Sequence, residues 1–341
     1  MMAIMNSQAN FQNPRIRIRG FGFHFPGEPV AISSLPLTAD EAKRRPRLGQ
    51  ETTYISSEDS TALMIHAGRN ALERNAVAAT DLRMLISAPS LMTSYGLEIP
   101  AVAIRAALGS TNAQCLNIAQ GCVGVLRGID LAAQMLAARP DGGDIMVVTS
   151  CRASSHTRNM NHGAFFWGDA AAAVILTASP GPGLEIVSYA EVSNIENWGA
   201  MRIAFGDGID GALEQDREEG LIQVRFDNAE GQIDYIRGEQ RNFAAVVDQL
   251  LSSQGLEQGD IDALFLPSTG KNRVPILLSE HRDLLKRMKT DLRYAHFGGV
   301  DPIFSLYQYL DHETPPAKAW QIAASPAFAA QWAGLLLRVL G

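Results

Sequence analysis

Cysteine is scarce in this chain: 341 residues hold three, Cys115, Cys122 and Cys151. Thiols so few and scattered exclude a disulfide framework or a cysteine zinc site, and a reducing cytoplasm is the expected compartment. A basic excess is missing as well. Lys and Arg total 29 against 36 Asp and Glu, a net charge of −7, so nothing points to nucleic acid as a partner. Uninterrupted apolar runs stop short of the roughly 20 residues that cross a bilayer, and no membrane segment is expected. Residues 1–14 are polar, lack a secretory h-region and read as a flexible leader. What remains is 46% hydrophobic and 19% charged, the balance of a folded globular chain with room for one large or two ordinary domains.

Apolar periodicity divides the chain into helices and strands. Residues 15–23 alternate basic and apolar side chains, a strand with one polar face. A helix follows over 57–74, opened by Ser and acidic residues. Strands are expected at 81–88, 113–118, 144–150 and 170–177, with a short helix at 100–108. Pro180-Gly181-Pro182-Gly183 then breaks the chain. Beyond it the scheme restarts, with strands at 183–192 and 318–324 and helices at 243–254 and 303–310. Asp260-Ile-Asp-Ala-Leu-Phe-Leu-Pro-Ser268 echoes Asp81-Leu-Arg-Met-Leu-Ile-Ser-Ala-Pro-Ser90. Two such halves predict a duplicated α/β architecture, 15–179 and 184–341.

The chemistry centres on Cys122. Val125, Ile129, Ala132, Ala133 and Leu136 recur at helical spacing behind it, and Gly121, Cys122 and Gly124 lie where that buried helix begins. A thiol there meets the positive end of the helix dipole, which favours the nucleophilic thiolate. Small neighbours let a substrate carbonyl approach the sulfur. The pattern suits an acyl-carrying nucleophile; it also suits a packed structural thiol, since free cysteine is usually buried.

Three stretches, taken in order and spacing, settle on a family. Asn117-Ile-Ala-Gln-Gly-Cys-Val-Gly-Val-Leu126 resembles the nucleophile segment of the β-ketoacyl-acyl-carrier-protein synthase III enzymes of the thiolase superfamily. Phe166-Trp-Gly-Asp-Ala-Ala-Ala-Ala-Val-Ile-Leu176 is similar to their Phe-Gly-Asp-Gly-Ala-Gly-Ala strand, and Trp332-Ala-Gly-Leu-Leu-Leu-Arg338 to their closing strand. The resemblance covers about residues 15–341. It implies a thiolase fold, two mixed-sheet halves layered αβαβα, and an acyl group loaded on Cys122 from coenzyme A or acyl carrier protein. It further implies a homodimer and no cofactor; no metal is expected.

The same resemblance marks three departures. The family's His follows Val-Pro; here Leu266-Pro267-Ser268-Thr269-Gly270 puts Ser268 in its place. The family's Asn lies in Gly-Asn-Thr; here Ala295-His296-Phe297-Gly298-Gly299 puts Gly299 there. In the closing turn, Ser325-Pro-Ala-Phe-Ala329 introduces the bulk of Phe328. Decarboxylative condensation needs donors for the enolate oxygen, and losing one oxyanion donor costs about 2.7–4 kcal/mol of barrier. Acyl transfer to an amine or hydroxyl needs only a reactive thioester, backbone donors and a base. The expected activity is therefore a non-condensing acyltransferase of fatty-acid- or polyketide-like specialised metabolism, serving a small acceptor. A condensing ketosynthase with a rearranged triad and a catalytically weak partner subunit stand as alternatives.

His296 is the candidate base beside Cys122. Ser268, Thr269, Gly299, Phe328 and His162 are candidate substrate contacts, and His156 reads as a polar loop residue. Asp301, just before Pro302, fits a helix N-cap better than an orienting carboxylate. Asp169 is expected to hold backbone amides, and Cys115 and Cys151 to pack in the core. Lys271 and Arg273 precede a predicted helix carrying Arg282, Lys286, Arg287, Lys289 and Arg293. That basic run suits docking of coenzyme A phosphates or an acidic carrier protein, and equally a solvated face.

Overall fold

A computed structural model describes residues 15–91, 98–153, 165–194, 201–202, 225–226, 229–327 and 330–341. The main strands are β1 (Arg17–His24), β2 (Leu82–Ser87), β3 (Gln114–Asn117), β4 (Asp144–Arg152), β5 (Asp169–Thr177), β6 (Gly183–Ser193), β7 (Ile261–Phe265), β8 (Trp320–Ala327) and β9 (Gln331–Leu340). The helices used below are α1 (Ala39–Leu48), α2 (Ser60–Arg74), α3 (Pro100–Leu108), α4 (Gly124–Ala138), α5 (Ala229–Ser252) and α6 (Val300–His312).

The duplication expected from the sequence is visible in the connectivity. The nine strands run β7-β8-β9-β6-β1-β5-β4-β2-β3. In the first half β2 is parallel to β4, β4 antiparallel to β5, and β5 antiparallel to β1. In the second, β7 is parallel to β8, β8 antiparallel to β9, and β9 antiparallel to β6. The halves join where Arg17 and Ile18 pair with Glu185 and Leu184. Beyond β7, the counterpart of β3 is a single parallel bridge, Leu264 to Met288.

Packing explains why the strands read as continuous apolar runs. Along β5, Ala171, Ala173 and Ile175 face an outer cluster with α2 and α3, while Ala172, Val174 and Leu176 face a central one. Strands covered on both faces lose polar alternation. The central cluster also takes Val125 and Ile129 of α4 and Val300 and Ile303 of α6. On the far side, Phe243, Val246 and Leu250 of α5 cover Ile322 and Leu336. The layers are thus αβαβα, with α4 and α6 in the middle. By length and composition Gly121–Ala138 is apolar enough to span a bilayer, although its apolar residues form no uninterrupted run. Its residues are mostly buried between the sheets, and its apolarity is that of a core helix.

Two expectations are corrected. The helix foreseen at 243–254 begins at Ala229. The basic helix foreseen after Ser279 is a six-residue 3-10 turn, Arg282–Arg287.

Candidate active site

The chain leaves β3 at Asn117 and turns into a short 3-10 segment, Gly121–Val123, continuous with α4. Gly121 has φ +55°, a left-handed conformation that glycine adopts without penalty. The turn sets Cys122, 3% exposed, at the amide-rich mouth of α4, whose first N–H groups have no acceptor within the helix.

His296 arrives from the other half of the molecule. Its amide donates to the Phe166 carbonyl at 2.8 Å, and its carbonyl accepts from Gly168 N at 3.0 Å. Phe165 meets the imidazole edge-on at 4.9 Å, and Trp167 lies tilted against it at 4.7 Å. The ring so held places Nε2 3.7 Å from Cys122 Sγ. Its Nδ1 lies 2.5 Å from Asp301 Oδ2. A carboxylate only accepts, so Nδ1 carries the proton toward Asp301 and Nε2 faces the sulfur.

Asp301 is therefore the orienting carboxylate, not the N-cap. Gly299 holds the cap position of α6. Asp301 Oδ1 accepts from Phe297 N at 2.9 Å, and Oδ2 accepts from Ser268 N at 2.8 Å as well. Burial on its own lowers the His296 pKa, but the charge and hydrogen bond of Asp301, followed by those of Cys122, override it and raise the value to about 9. An imidazolium beside the sulfur is the counter-charge a thiolate needs. Cys151 is fully buried. Burial first, then the charges of Cys122, Asp169 and Asp301, push its thiol well above the ordinary range, which makes it inert.

The chain resembles known proteins in sequence and in fold. A family model described as 3-oxoacyl-[acyl-carrier-protein] synthase III matches residues 116–195, the stretch holding Cys122 and β5. A β-ketoacyl-[acyl-carrier-protein] synthase III of Syntrophomonas wolfei is 26% identical over 335 residues, 95% of this chain and 97% of that one. The crystal structure of a 3-oxoacyl-[acyl-carrier-protein] synthase III from Aquifex aeolicus superposes with TM-score 0.79 at 15% identity, covering 95% of this chain and 99% of that chain. ChlB3, described as an acyltransferase, gives TM-score 0.80 at 19% identity, covering 96% and 98%. Part of the chain thus matches the synthase III family model, and the chain as a whole shares the fold of these enzymes.

Ser268 and Gly299, which the resemblance sets at the family's His and Asn, are each tied to the scaffold. Ser268 donates its hydroxyl to the Tyr294 carbonyl at 2.6 Å. That proton is committed to the scaffold, contrary to the substrate contact expected of it. Thr269 is buried beside it, its amide donating to the Pro267 carbonyl. Gly299 donates its amide to Ser90 Oγ at 2.8 Å. A Cβ on Gly299 would sit 3.0 Å from the Cys122 carbonyl oxygen and 3.1 Å from Val125 Cγ1, so a side chain there has to displace its neighbours. Phe328, His162 and His156 lie outside the described residues.

The basic run is a different surface from the one expected. Arg273 forms a two-pronged pair with Glu239 at 2.7 and 2.8 Å and lies over the Phe165 ring. Lys286 pairs with Asp283, Arg287 reaches the Gly259 carbonyl, Lys289 covers Tyr309, and Arg293 clasps Asp291. Arg282 is exposed, and so is Lys271. Lys271 packs against the end of α1: its amide donates to the Leu48 carbonyl, and its aliphatic stem crowds Gly49. Helix α1 adds exposed Lys43 and Arg47, with Arg44 paired to Asp40 at 2.8 Å. Sequence reading missed this cluster because α1 lies more than 200 residues from Lys271 in the chain.

Gln50 went unnoticed for the same reason. It is 1% exposed. Its carbonyl accepts from Phe166 N at 2.8 Å, while its amide donates to the carbonyls of Ser268 at 2.8 Å and Tyr294 at 3.2 Å. One side chain thus ties together the three segments that position His296. Each buried polar group left without a partner costs about 1–3 kcal/mol. Gln50→Leu should therefore lower unfolding stability by about 2–4 kcal/mol. Denaturant melts will show this, and an unchanged midpoint would refute the clip.

Proposed function

We propose that this protein is an acyltransferase that carries its acyl group on Cys122 and delivers it to the hydroxyl or amine of a small acceptor. The observation that carries the reading is the line of contacts Cys122–His296–Asp301, 3.7 Å and 2.5 Å. It is a nucleophile, a base and an orienting acid in hydrogen-bonding sequence.

In the first half-reaction the Cys122 thiolate attacks the thioester carbonyl of an acyl-coenzyme A or acyl-carrier donor. The donor's sulfur leaves and takes the proton from His296 Nε2. In the second, Nε2, now neutral, accepts the acceptor's proton as its oxygen or nitrogen attacks the acyl carbon. The bond to Cys122 breaks and the thiolate returns beside an imidazolium. Asp301 holds the ring in one tautomer through both steps. The cationic surface of Lys271 and α1 suits the phosphates of coenzyme A or an acidic carrier protein. ChlB3, similar in fold, bears the acyltransferase description. Following the resemblance, the protein is proposed to work as a cytoplasmic homodimer.

The synthase III names of the relatives favour a second reading, decarboxylative condensation with His296 as the enolate donor. Gly299 and Ser268 offer that enolate no free side-chain donor, which weighs against it. A catalytically weak partner subunit has no use for an assembled Cys–His–Asp line.

Intact-protein mass spectrometry with a panel of acyl-coenzyme A and acyl-carrier thioesters, run beside Cys122→Ala, tests the reading. One acyl mass on the wild type alone, with no carbon dioxide released from malonyl thioesters, is the expected result. Carbon dioxide release coupled to carbon–carbon bond formation would establish condensation. No adduct from any donor would leave the partner-subunit reading.

A further inference from the structure

Away from Cys122, His24, Glu58 and His66 bring two imidazole nitrogens and a carboxylate within 4.8 Å of one another. His24 ends β1, His66 lies on α2, and Glu58 precedes that helix. His66 Nε2 is 3.3 Å from one Glu58 oxygen, and His24 Nε2 is 3.8 Å from the other. The two rings stack at 4.5 Å with their planes 27° apart. His24 Nε2 is buried and has no hydrogen-bond partner among the described residues.

The backbone beneath the cluster is fixed. A Cβ on Gly22 would come within 2.2 Å of Ala71 N and 2.4 Å of Ala67 O, so β1 and α2 touch main chain to main chain. Phe23 N also donates to Asn70 Oδ1 at 3.1 Å. Glu58 N donates to Ser56 Oγ, and Ser56 N donates to the buried carboxylate of Asp169 at 2.7 Å. Asp59 caps α2 by accepting from Ala62 N. The donors differ in chemistry and come from three separately anchored points, unlike a chance acidic patch.

We propose that His24, Glu58 and His66 form a binding site for a zinc-class divalent cation, with solvent in the fourth position. Zinc takes imidazole nitrogen at about 2.0–2.1 Å and carboxylate oxygen at about 2.0–2.2 Å in a tetrahedron, which puts neighbouring donors about 3.4 Å apart. The two nitrogen–oxygen distances, 3.3 and 3.8 Å, run to the two different oxygens of Glu58, so a turn of that half-exposed carboxylate is needed to set one oxygen between the rings. The two nitrogens, within 4.8 Å of each other, close by tilting the stacked rings. Glu58 is 45% and His66 38% exposed in their side chains, so the ion has a path in and a face open to water. Two neutral imidazoles and one carboxylate leave it a net positive charge. The ion would clamp β1 to the start of α2.

The test is equilibrium dialysis of the full chain against zinc, with metal analysis, in a Cys122→Ala background that removes the sulfur ligand at the other site. We expect one zinc per chain. His66→Ala, on an exposed helical position that tolerates alanine, should weaken binding by more than the about 10–100-fold typical of outer-shell partners. Glu58→Gln should weaken it too. Cobalt in the same protein should give a tetrahedral visible band without sulfur charge transfer, and zinc should raise Tm only while His66 is present. Failure to bind zinc, or equal binding in the His66→Ala and Glu58→Gln proteins, overturns the site.

Discussion

Cys122→Ala will form no acyl-enzyme and lose transfer altogether, whereas His296→Ala will still acylate slowly and lose about 10²–10⁴-fold in turnover. The difference follows from what each atom does. Sulfur forms the bond that is made and broken, and Cys151 cannot replace it, because that residue is buried with its thiol held protonated. His296 moves protons, and water or buffer can do that poorly. Its two duties also separate in time. Removing the imidazolium weakens the thiolate in the first half-reaction; removing the base slows the acceptor's attack in the second. Rapid-quench measurements on the two half-reactions should find both slowed, the second more. An oxygen or nitrogen acceptor arrives with its proton attached and needs a base at the moment it attacks. A His296→Ala enzyme with wild-type transfer would remove the base assignment and return His296 to the packing role that its aromatic cage alone would explain.

Features with local causes were legible in the sequence. The alternation of residues 15–23 and the apolar period behind Cys122 gave β1 and α4 within a few residues, because each element's own neighbours dictate its period. The unbroken run in β5 was legible too, since burial on both faces erases polar alternation. Candidate-site residues whose partners lie far along the chain were not. Asp301 precedes Pro302 at the start of α6, and locally that spells a cap. Its role depends on Ser268, 33 residues away, and on His296 turning back toward it. Gln50 binds groups 116, 218 and 244 residues distant, and no local pattern announces that. The basic run misled in the opposite sense. Adjacent positive charges suggested one docking helix, but Glu239 already occupies Arg273 and Asp291 occupies Arg293. Charges crowded in sequence are counted before their partners are known.

Asp301→Asn is expected to cost nearly as much as losing the imidazole, about 10²–10⁴-fold in transfer, with a pH signature that a merely structural residue would lack. The two carboxylate oxygens accept from three donors: His296 Nδ1, Ser268 N and Phe297 N. An asparagine has one accepting oxygen, so its NH2 faces an N–H group whichever way it turns. Either Phe297 N is orphaned or His296 and Ser268 are. The charge that outweighs burial at His296 also disappears, and the ring's pKa falls. In the wild type, His296 at about 9 against 6.5 for the free side chain corresponds to about 3 kcal/mol of stability. A raised value means the contribution is fully present below pH 6.5 and is lost as pH rises through about 9. The stability gap between wild type and Asp301→Asn should therefore be widest at pH 6 and shrink toward pH 9.5, read from denaturant midpoints at each pH. Asp301→Ala should show the same narrowing, because it too removes the charge. A gap independent of pH would mean that Asp301 serves only as a hydrogen-bond anchor for Phe297 and Ser268. The imidazolium would then owe its proton to the Cys122 thiolate, and Cys122→Ala, not Asp301→Asn, would be the variant that flattens the pH dependence.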